Sequence, residues 1–263
     1  MARVTTEIRD HVAHVTLSRG DKMNGVDQAM AEGIVEAGEA LCDNGEVRAV
    51  VLSGEGRAFC AGLDVASFAM LAGNDPEAVI MPRLEGKNSN LYQEVAMVWR
   101  RVPVPVIASL HGVVFGAGFQ IALGADIRVA HPETEMAVME MKWGLVPDMG
   151  GMALMPEVMR SDVIRRMTYT AKPVSAKQGL EWGFVTELAE DPLAVAQGLA
   201  TEIAGKSPSA IRAAKRLIAV AESGAGEDAV LMAESREQAD LVGKPHQMEV
   251  IAANMGKRAP KFD

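Results

Sequence analysis

Near the N-terminus the apolar positions recur at every second residue. Val4, Thr6 and Ile8 share one face, and Val12, His14 and Thr16 follow with Ala13, Val15 and Leu17 opposite. A period of two predicts a β-hairpin or two short strands, with His11 and His14 as strand residues. The period then changes. Met30, Ile34, Ala37 and Leu41 recur at helical spacing behind Asp27, which predicts an N-capped helix that Asn44-Gly45 stops. Residues 47–52 and 104–110 are compact β-branched runs, the pattern of strands buried on both faces. A helix is predicted over about 118–124 and a further strand over 127–130. Strand, turn, helix and strand in series predict an α/β fold with parallel neighbours. Beyond about residue 195 only helical periods remain. Ser207-Pro208 reads as a cap and a first-turn proline, with Ile211, Ala214, Leu217 and Ile218 on one face. Another helix is predicted over 227–241. The expected division is a core over 1–195 and a helical region over 196–263.

Composition narrows the function classes. Of 263 residues, 49% are hydrophobic and 23% charged, enough for a buried core and without the signature of disorder. A net charge of −9 argues against a generic nucleic-acid or anionic-membrane surface, so an anionic ligand needs a local basic patch. Two cysteines, Cys42 and Cys60, cannot frame a disulfide scaffold, and a reducing, cytoplasmic setting is expected. Residues 1–10 carry no apolar run of a signal peptide. Residues 103–125 are apolar and long enough to span a bilayer. Pro103, Pro105, His111, Gln120 and the glycines at 112, 116, 118 and 124 punctuate them, which predicts a buried strand, loop and helix instead.

Several common motifs fail. Gly116-Ala117-Gly118 meets Ile121 where a dinucleotide fingerprint needs its third glycine, and Gly54-x-Gly56 meets Phe59. There is no phosphate-loop lysine and no G-x-S-x-G, and the histidines lack metal spacing, so no metal is expected. Two runs look chemical: Arg57-Ala58-Phe59-Cys60-Ala61-Gly62-Leu63-Asp64, and His111-Gly112-Val113-Val114-Phe115-Gly116-Ala117-Gly118-Phe119-Gln120. Each follows a buried strand. Turns of small residues leave N–H groups unpaired and let a ligand come close. The second run also opens a helix, whose dipole favours negative charge. Two such donors converging on one point would stabilise an oxyanion, and losing one typically costs on the order of 10²–10³ in rate. Taken singly, each run also suits a helix packing closely on a sheet.

Together with Glu140 and Gly144-Leu145-Val146-Pro147-Asp148-Met149-Gly150-Gly151, the two runs resemble the crotonase, or enoyl-CoA hydratase/isomerase, superfamily. The resemblance extends from the first strands through residues 19–27 to the ending Lys257-Arg258-Ala259-Pro260-Lys261-Phe262. It implies a crotonase (ClpP-like) α/β fold, a repeated ββα core followed by helices that serve as lid or trimer contact. It further implies a homotrimer or a hexamer made of two trimers, and the methionines at 232, 248 and 255 suit such contacts. The implied substrate is an acyl-CoA thioester, with coenzyme A as part of that substrate and no tightly bound cofactor. The thioester oxygen would accept from the backbone N–H groups of Leu63 and Ala117, framed by Ala61, Gly62, Asp64 and Gly116. Lys22, Arg57 and Lys257 would meet the coenzyme, Lys257 from its own or a neighbouring subunit. The lysine usual in the family shortly after the first turn is absent, since Val65 and Ala66 follow Asp64.

The hydratases of that family carry two glutamates. The first position matches Gln120 and the second Glu140, twenty residues on. An amide can orient a water but cannot ionise near neutral pH, and a lost acid/base group costs about 10²–10⁴-fold. Efficient hydration is therefore not expected. Glu140 alone can lift a proton from one carbon and return it to another while the oxyanion hole holds the dienolate, as in the family's isomerases. Asp148 follows eight residues later, and Gly144 and Pro147 break any continuous helix between the two carboxylates, so both can reach one cleft. Dienoyl-CoA isomerases carry an acid there, and so do 3-hydroxyisobutyryl-CoA hydrolases. Asp126 is expected to cap or pair. The reading is a double-bond shift in an enoyl- or dienoyl-CoA. An enoyl-CoA hydratase, a CoA thioester hydrolase and a non-catalytic acyl-CoA binder are the alternatives. Residues 67–93 are expected to shape the acyl pocket.

Overall fold

Strand β1 (Val4–Arg9) turns back antiparallel onto β2 (Val12–Leu17), with Val4 opposite Leu17. The computed structural model describes residues 2–64 and 75–262, so residues 67–74 of the expected pocket-shaping segment lie outside the described residues. His11 is a turn residue and not part of a strand as the period-two reading had it. Asp10 and His11 take φ of 47° and 66°, the left-handed backbone that a two-residue hairpin requires. From β2 onward the main sheet is parallel: β3 (Ala49–Gly54), β4 (Val106–Leu110), β6 (Ile127–Ala130) and β9 (Glu187–Leu188) follow in the order β1-β2-β3-β4-β6-β9. A small second sheet joins β5 (Val113–Phe115), β7 (Glu135–Ala137) and β8 (Val174–Ser175). Strand β4 is buried throughout, as its unbroken apolar run predicts. It starts two residues later than the run, after Pro105, whose carbonyl accepts from Val50 N at 2.9 Å.

Helix α1 (Gln28–Cys42) begins where Asp27 accepts from Met30 N at 2.8 Å, and it buries Met30, Ile34 and Leu41 against the sheet. After the short α2 (Pro76–Ile80), α3 (Leu91–Arg101) opens with a capping box formed by Asn90 and Gln93 and buries Val95, Val98 and Trp99. Helix α4 (Ala117–Leu123) is buried at every position and packs on β5 and α3. One core holds Leu17, Leu52, Phe59, Trp99, Leu110 and Phe119; each such side chain contributes about 1.5–3 kcal/mol by leaving water. A second core on the other sheet face sets Ala196, Ala200 and Ala204 of α8 (Pro192–Ala204) against Val51, Ile107 and Val129. The chain between β7 and β9 forms α5 (Gly151–Val158), α6 (Ser161–Thr170) and α7 (Ala176–Trp182), whose buried apolar side chains join the first core.

The C-terminal helices are α9 (Pro208–Glu222), capped by Ser207 as expected, α10 (Glu227–Ala239) and α11 (Pro245–Met255). Helix α10 stops two residues short of the expected end. Their apolar faces are only partly covered: Ile218, on the predicted face of α9, is 56% exposed, and α10 buries none of its side chains. The apolar stretch over 103–125 forms the buried strand, loop and helix its punctuation predicts. Among the described residues no helix is long and apolar enough to cross a membrane.

Candidate active site

The turn after β3 and the turn after β4 are stitched into one unit. Phe59 N donates to His111 O at 2.9 Å, Cys60 N to Val113 O at 3.2 Å, and Phe115 N back to Cys60 O at 3.0 Å. Asn24, fully buried, reaches the carbonyls of Glu55, Ala58 and Phe59 through its amide nitrogen. On the far side Val26 N donates to Gly62 O and Asp64 N to Val26 O, both at 2.8 Å. That is a parallel bridge between Val26 and Leu63, in which the N–H of Leu63 itself points away from Val26. Ala117 N is the first donor of α4 and has no intrahelical acceptor. Among the described residues neither Leu63 N nor Ala117 N donates to a backbone oxygen.

Two glycines permit this convergence. Gly62 has φ of 105° and Gly116 has φ of 50° with ψ of −114°, conformations that a β-carbon resists. A β-carbon on Gly62 would stand 3.1 Å from Phe115 O and 4.0 Å from Ala117 N, so the two unpaired N–H groups lie in adjoining backbone. Ala61, Gly62, Leu63, Gly116, Ala117, Glu140 and Asp148 all line a single cavity of about 350 Å³. Met23, Met139, Trp143, Leu145 and Met149 make much of the remaining wall apolar.

Glu140 opens a single 3-10 turn (Glu140–Trp143) and faces the second glycine-rich run. Its Oε1 accepts from Gln120 Nε2 at 2.7 Å, while its Oε2 is enclosed with no hydrogen-bond partner among the described residues. Burial pushes this carboxyl above the usual range and the charge of Asp148 adds to the push, against the adjacent backbone and the Gln120 hydrogen bond. Asp148 sits at the cavity mouth, partly in solvent, and the protein atoms around it push its carboxyl upward too. A buried unpartnered oxygen costs about 1–3 kcal/mol, and functional sites are where such atoms are retained.

Gln120 lies beneath the cavity, fully buried. Its Oε1 accepts from Met149 N and Gly151 N, both at 2.9 Å, so both lone pairs are spent and none remains to orient a water. Asp64 turns away from the cavity into an ion pair with Arg19 at 2.6 Å, and Arg19 also meets Asp27 at 3.2 Å. Lys22 and Arg57 are exposed on the turns that lead to Met23 and to Ala61, beside the cavity and not on its wall. Lys257, also exposed, stands on the C-terminal tail and does not line the cavity. Asp126 pairs as expected, with Lys215 Nζ and Val106 N, both at 2.7 Å. Cys60 is no nucleophile: it is enclosed, and burial pushes its thiol up to about 12. No cluster of three or more potential metal ligands occurs among the described residues.

The motif reading missed three supports of this site: Asn24, Arg19 and the backbone N–H groups of Met149 and Gly151. Only Asn24 carried a local signal. Asn24-Gly25 is a turn dipeptide, and Asn24 takes φ of 54°. The others act through partners distant in sequence.

The sequence pattern described as Enoyl-CoA hydratase/isomerase matches residues 7–263. The chain is 32% identical over 217 residues to the mitochondrial Delta(3,5)-Delta(2,4)-dienoyl-CoA isomerase of Mus musculus, covering 80% of this chain and 66% of that protein. It therefore spans just under two thirds of the length of that relative. It is 29% identical over 265 residues to the 1,2-epoxyphenylacetyl-CoA isomerase of Escherichia coli (strain K12), covering 100% of this chain and 98% of that one. The crystal structure of an enoyl-CoA hydratase from Mycobacterium tuberculosis H37Rv matches with a TM-score of 0.87 at 27% identity, over 100% of this chain and 99% of the other. The α/β fold expected from the sequence is thus shared with isomerases and hydratases alike.

Proposed function

The chain belongs to the enoyl-CoA hydratase/isomerase family, and we propose that it shifts a double bond in an enoyl- or dienoyl-CoA thioester. One observation carries this: Glu140, with one oxygen held and the other unpartnered, shares a small, largely apolar cavity with the backbone of Leu63 and Ala117. The N–H groups of Leu63 and Ala117 bind the thioester oxygen. This withdraws charge from the carbonyl and makes the hydrogen beside it acidic. Glu140 takes that proton, and the electron pair left behind spreads into a dienolate whose negative charge rests on the bound oxygen. Return of a proton at the far carbon completes the shift with no net gain or loss of atoms. A carboxyl raised toward neutrality suits both halves of such a transfer. Asp148 stands at the mouth as a second proton carrier for longer conjugated systems.

Support for isomerisation over hydration comes from Gln120. Hydration needs a second group that holds and activates water, and the acceptor capacity of this amide is already spent. Lys22 and Arg57, on the flanking turns, meet the phosphates of coenzyme A, and Lys257 does so from its own or a neighbouring subunit. The partly uncovered faces of α9 to α11 are the contacts of a trimer or hexamer. The chemistry requires no cofactor beyond the coenzyme of the substrate.

Incubation with 3-hexenoyl-CoA in deuterium oxide, followed by mass spectrometry and absorbance of the conjugated thioester, tests the reading. Conjugated product carrying deuterium is expected. Glu140→Gln is expected to slow it about 10²–10⁴-fold. Ala117→Pro removes a backbone donor at a position where proline suits a helix, and is expected to cost on the order of 10²–10³-fold. With crotonyl-CoA, whose double bond is already conjugated, product heavier by one water identifies a hydratase; free thiol identifies a hydrolase, and binding without exchange of either thioester a non-catalytic binder; each would replace the isomerase reading.

A further inference from the structure

We propose that Gln120 is the positioning residue of this site, a single amide that sets the orientation of Glu140 and fastens it to the loop bearing Asp148. The inference deepens the isomerase reading and rests on Glu140 being its proton carrier. The orientation of the amide is fixed by its partners. Met149 N and Gly151 N can only donate, so the atom they share at 2.9 Å must be the Gln120 oxygen. The nitrogen must therefore face Glu140 Oε1, at 2.7 Å. An N–H donor there requires that Oε1 accept, which leaves the proton of the Glu140 carboxyl to Oε2, the enclosed oxygen with no partner. The amide thus selects which oxygen works.

The same side chain couples three parts of the site. Gln120 rises from the first turn of α4, one helical turn after the N–H of Ala117, so a shift of that helix moves oxyanion donor and carboxylate holder together. It also binds the two backbone amides that follow Asp148. Gly151 is shaped to allow this: a β-carbon there would stand 2.5 Å from Gln120 Cγ and 2.8 Å from its Oε1. A glutamate at 120 would replace the donor that faces Glu140 with a second carboxylate. One of its oxygens would take the two loop N–H groups, and the other would face Glu140 Oε1, two carboxylates contending for one proton. Among the described residues the other ionisable side chains on the cavity wall are Lys142, from the turn of Glu140 itself, and Asp148; the 61–63 and 113–117 segments contribute none.

The test reads the titration of Glu140 directly. The infrared carboxylate band is isolated as the difference between the wild type and Glu140→Gln, and is followed against pH in Gln120→Met, Gln120→Glu and Gly151→Ala, each alongside a thermal unfolding curve. The Glu140 midpoint is expected to rise in Gln120→Met, which loses the donor to Oε1, and to rise further in Gln120→Glu. Gly151→Ala, with residue 120 intact, is expected to raise it through displacement of the amide. With 3-hexenoyl-CoA the same variants are expected to lose kcat by about 10- to 100-fold, the scale of a small misplacement, with KM little changed. A folded Gln120→Met or Gly151→Ala protein whose Glu140 midpoint stays at the wild-type value overturns the proposal, even if kcat falls. If Gln120→Met does not fold, Gly151→Ala decides by the same criterion. If the midpoints move as expected while no variant or wild type isomerises the thioester, positioning stands and the isomerase reading fails.

Discussion

Two carboxylates in this protein are treated in opposite ways. Glu94, in the first turn of α3, has no exposed surface and receives the Ser89 hydroxyl, the Lys87 ammonium at 3.0 Å and the Arg101 guanidinium. Burial pushes its carboxyl up, but the three donors outweigh burial and hold it below the usual range. Glu140, half-buried, has one neutral side-chain donor and a neighbouring negative charge, and desolvation leaves it above the usual range. The chain is able to satisfy a buried carboxylate completely, and does so where Glu94 clamps the 84–90 loop to α3. It leaves Glu140 half satisfied in the cavity where the thioester is proposed to bind. The difference separates a group that holds structure from one poised to exchange a proton.

The comparison breaks most visibly at Glu94. Glu94→Ala leaves Arg101 without its counter-charge and Lys87 with Glu39 alone. The expected loss is about 3 kcal/mol, at the low end for removing one partner of a buried ion pair, because both cations can reach water. Urea unfolding measures it, and proton exchange per folded molecule should be little changed. A loss under about 0.5 kcal/mol, the scale of an ordinary surface change, would mean that the clamp does not hold the loop.

Glu140→Gln should act on stability with the opposite sign. The amide can still accept from Gln120, and a charge disfavoured by burial is gone. At neutral pH the unfolding midpoint is expected to stay level or rise, by roughly 2–4 °C per kcal/mol recovered. The pH dependence sharpens this. A carboxyl raised on folding stabilises the protein fully below its unfolded value, and that contribution is lost as pH rises through the folded value. The gain from Glu140→Gln should therefore appear above the usual glutamate range and vanish in acid. Glu94, lowered on folding, contributes above its unfolded value and loses that contribution as pH falls, so Glu94→Gln should be most harmful near neutrality and nearly harmless in strong acid. Parallel melting curves across pH read both slopes, and equal slopes would erase the distinction.

Much of this was legible along the chain. The buried strands announced themselves as unbroken apolar runs, and the two turns by the glycines and alanines that follow those strands. Glu140 and Asp148 stood out through the resemblance to the crotonase superfamily, and the glycine and proline between them allow both to reach one cleft. What the pattern could not show was satisfaction. Whether Gln120 faces water or two backbone N–H groups depends on Met149 and Gly151, about thirty residues away, and no periodicity encodes that distance. The same holds for Asp64, which pairs with Arg19 across forty-five residues and so leaves the cavity wall. His11 failed for a local reason, since a two-residue turn between alternating strands continues the alternation in sequence while breaking it in space.

The smallest expected effect lies at Asp148, and it decides how far the contrast extends along the cavity. The charge of Asp148 raises the Glu140 carboxyl, so Asp148→Asn should let that value fall and move the acidic limb of the pH–rate profile to lower pH. With a 3-enoyl-CoA, whose proton returns near Glu140, kcat at neutral pH should change by less than about threefold, under 1 kcal/mol. With a 3,5-dienoyl-CoA the proton must return farther along the chain, where Asp148 stands, and kcat should fall about tenfold, equal to about 1.4 kcal/mol. The ratio of the two losses is the measurement. Equal losses on both substrates would make Asp148 a source of field alone, and Glu140 would then be the single proton carrier of the cavity.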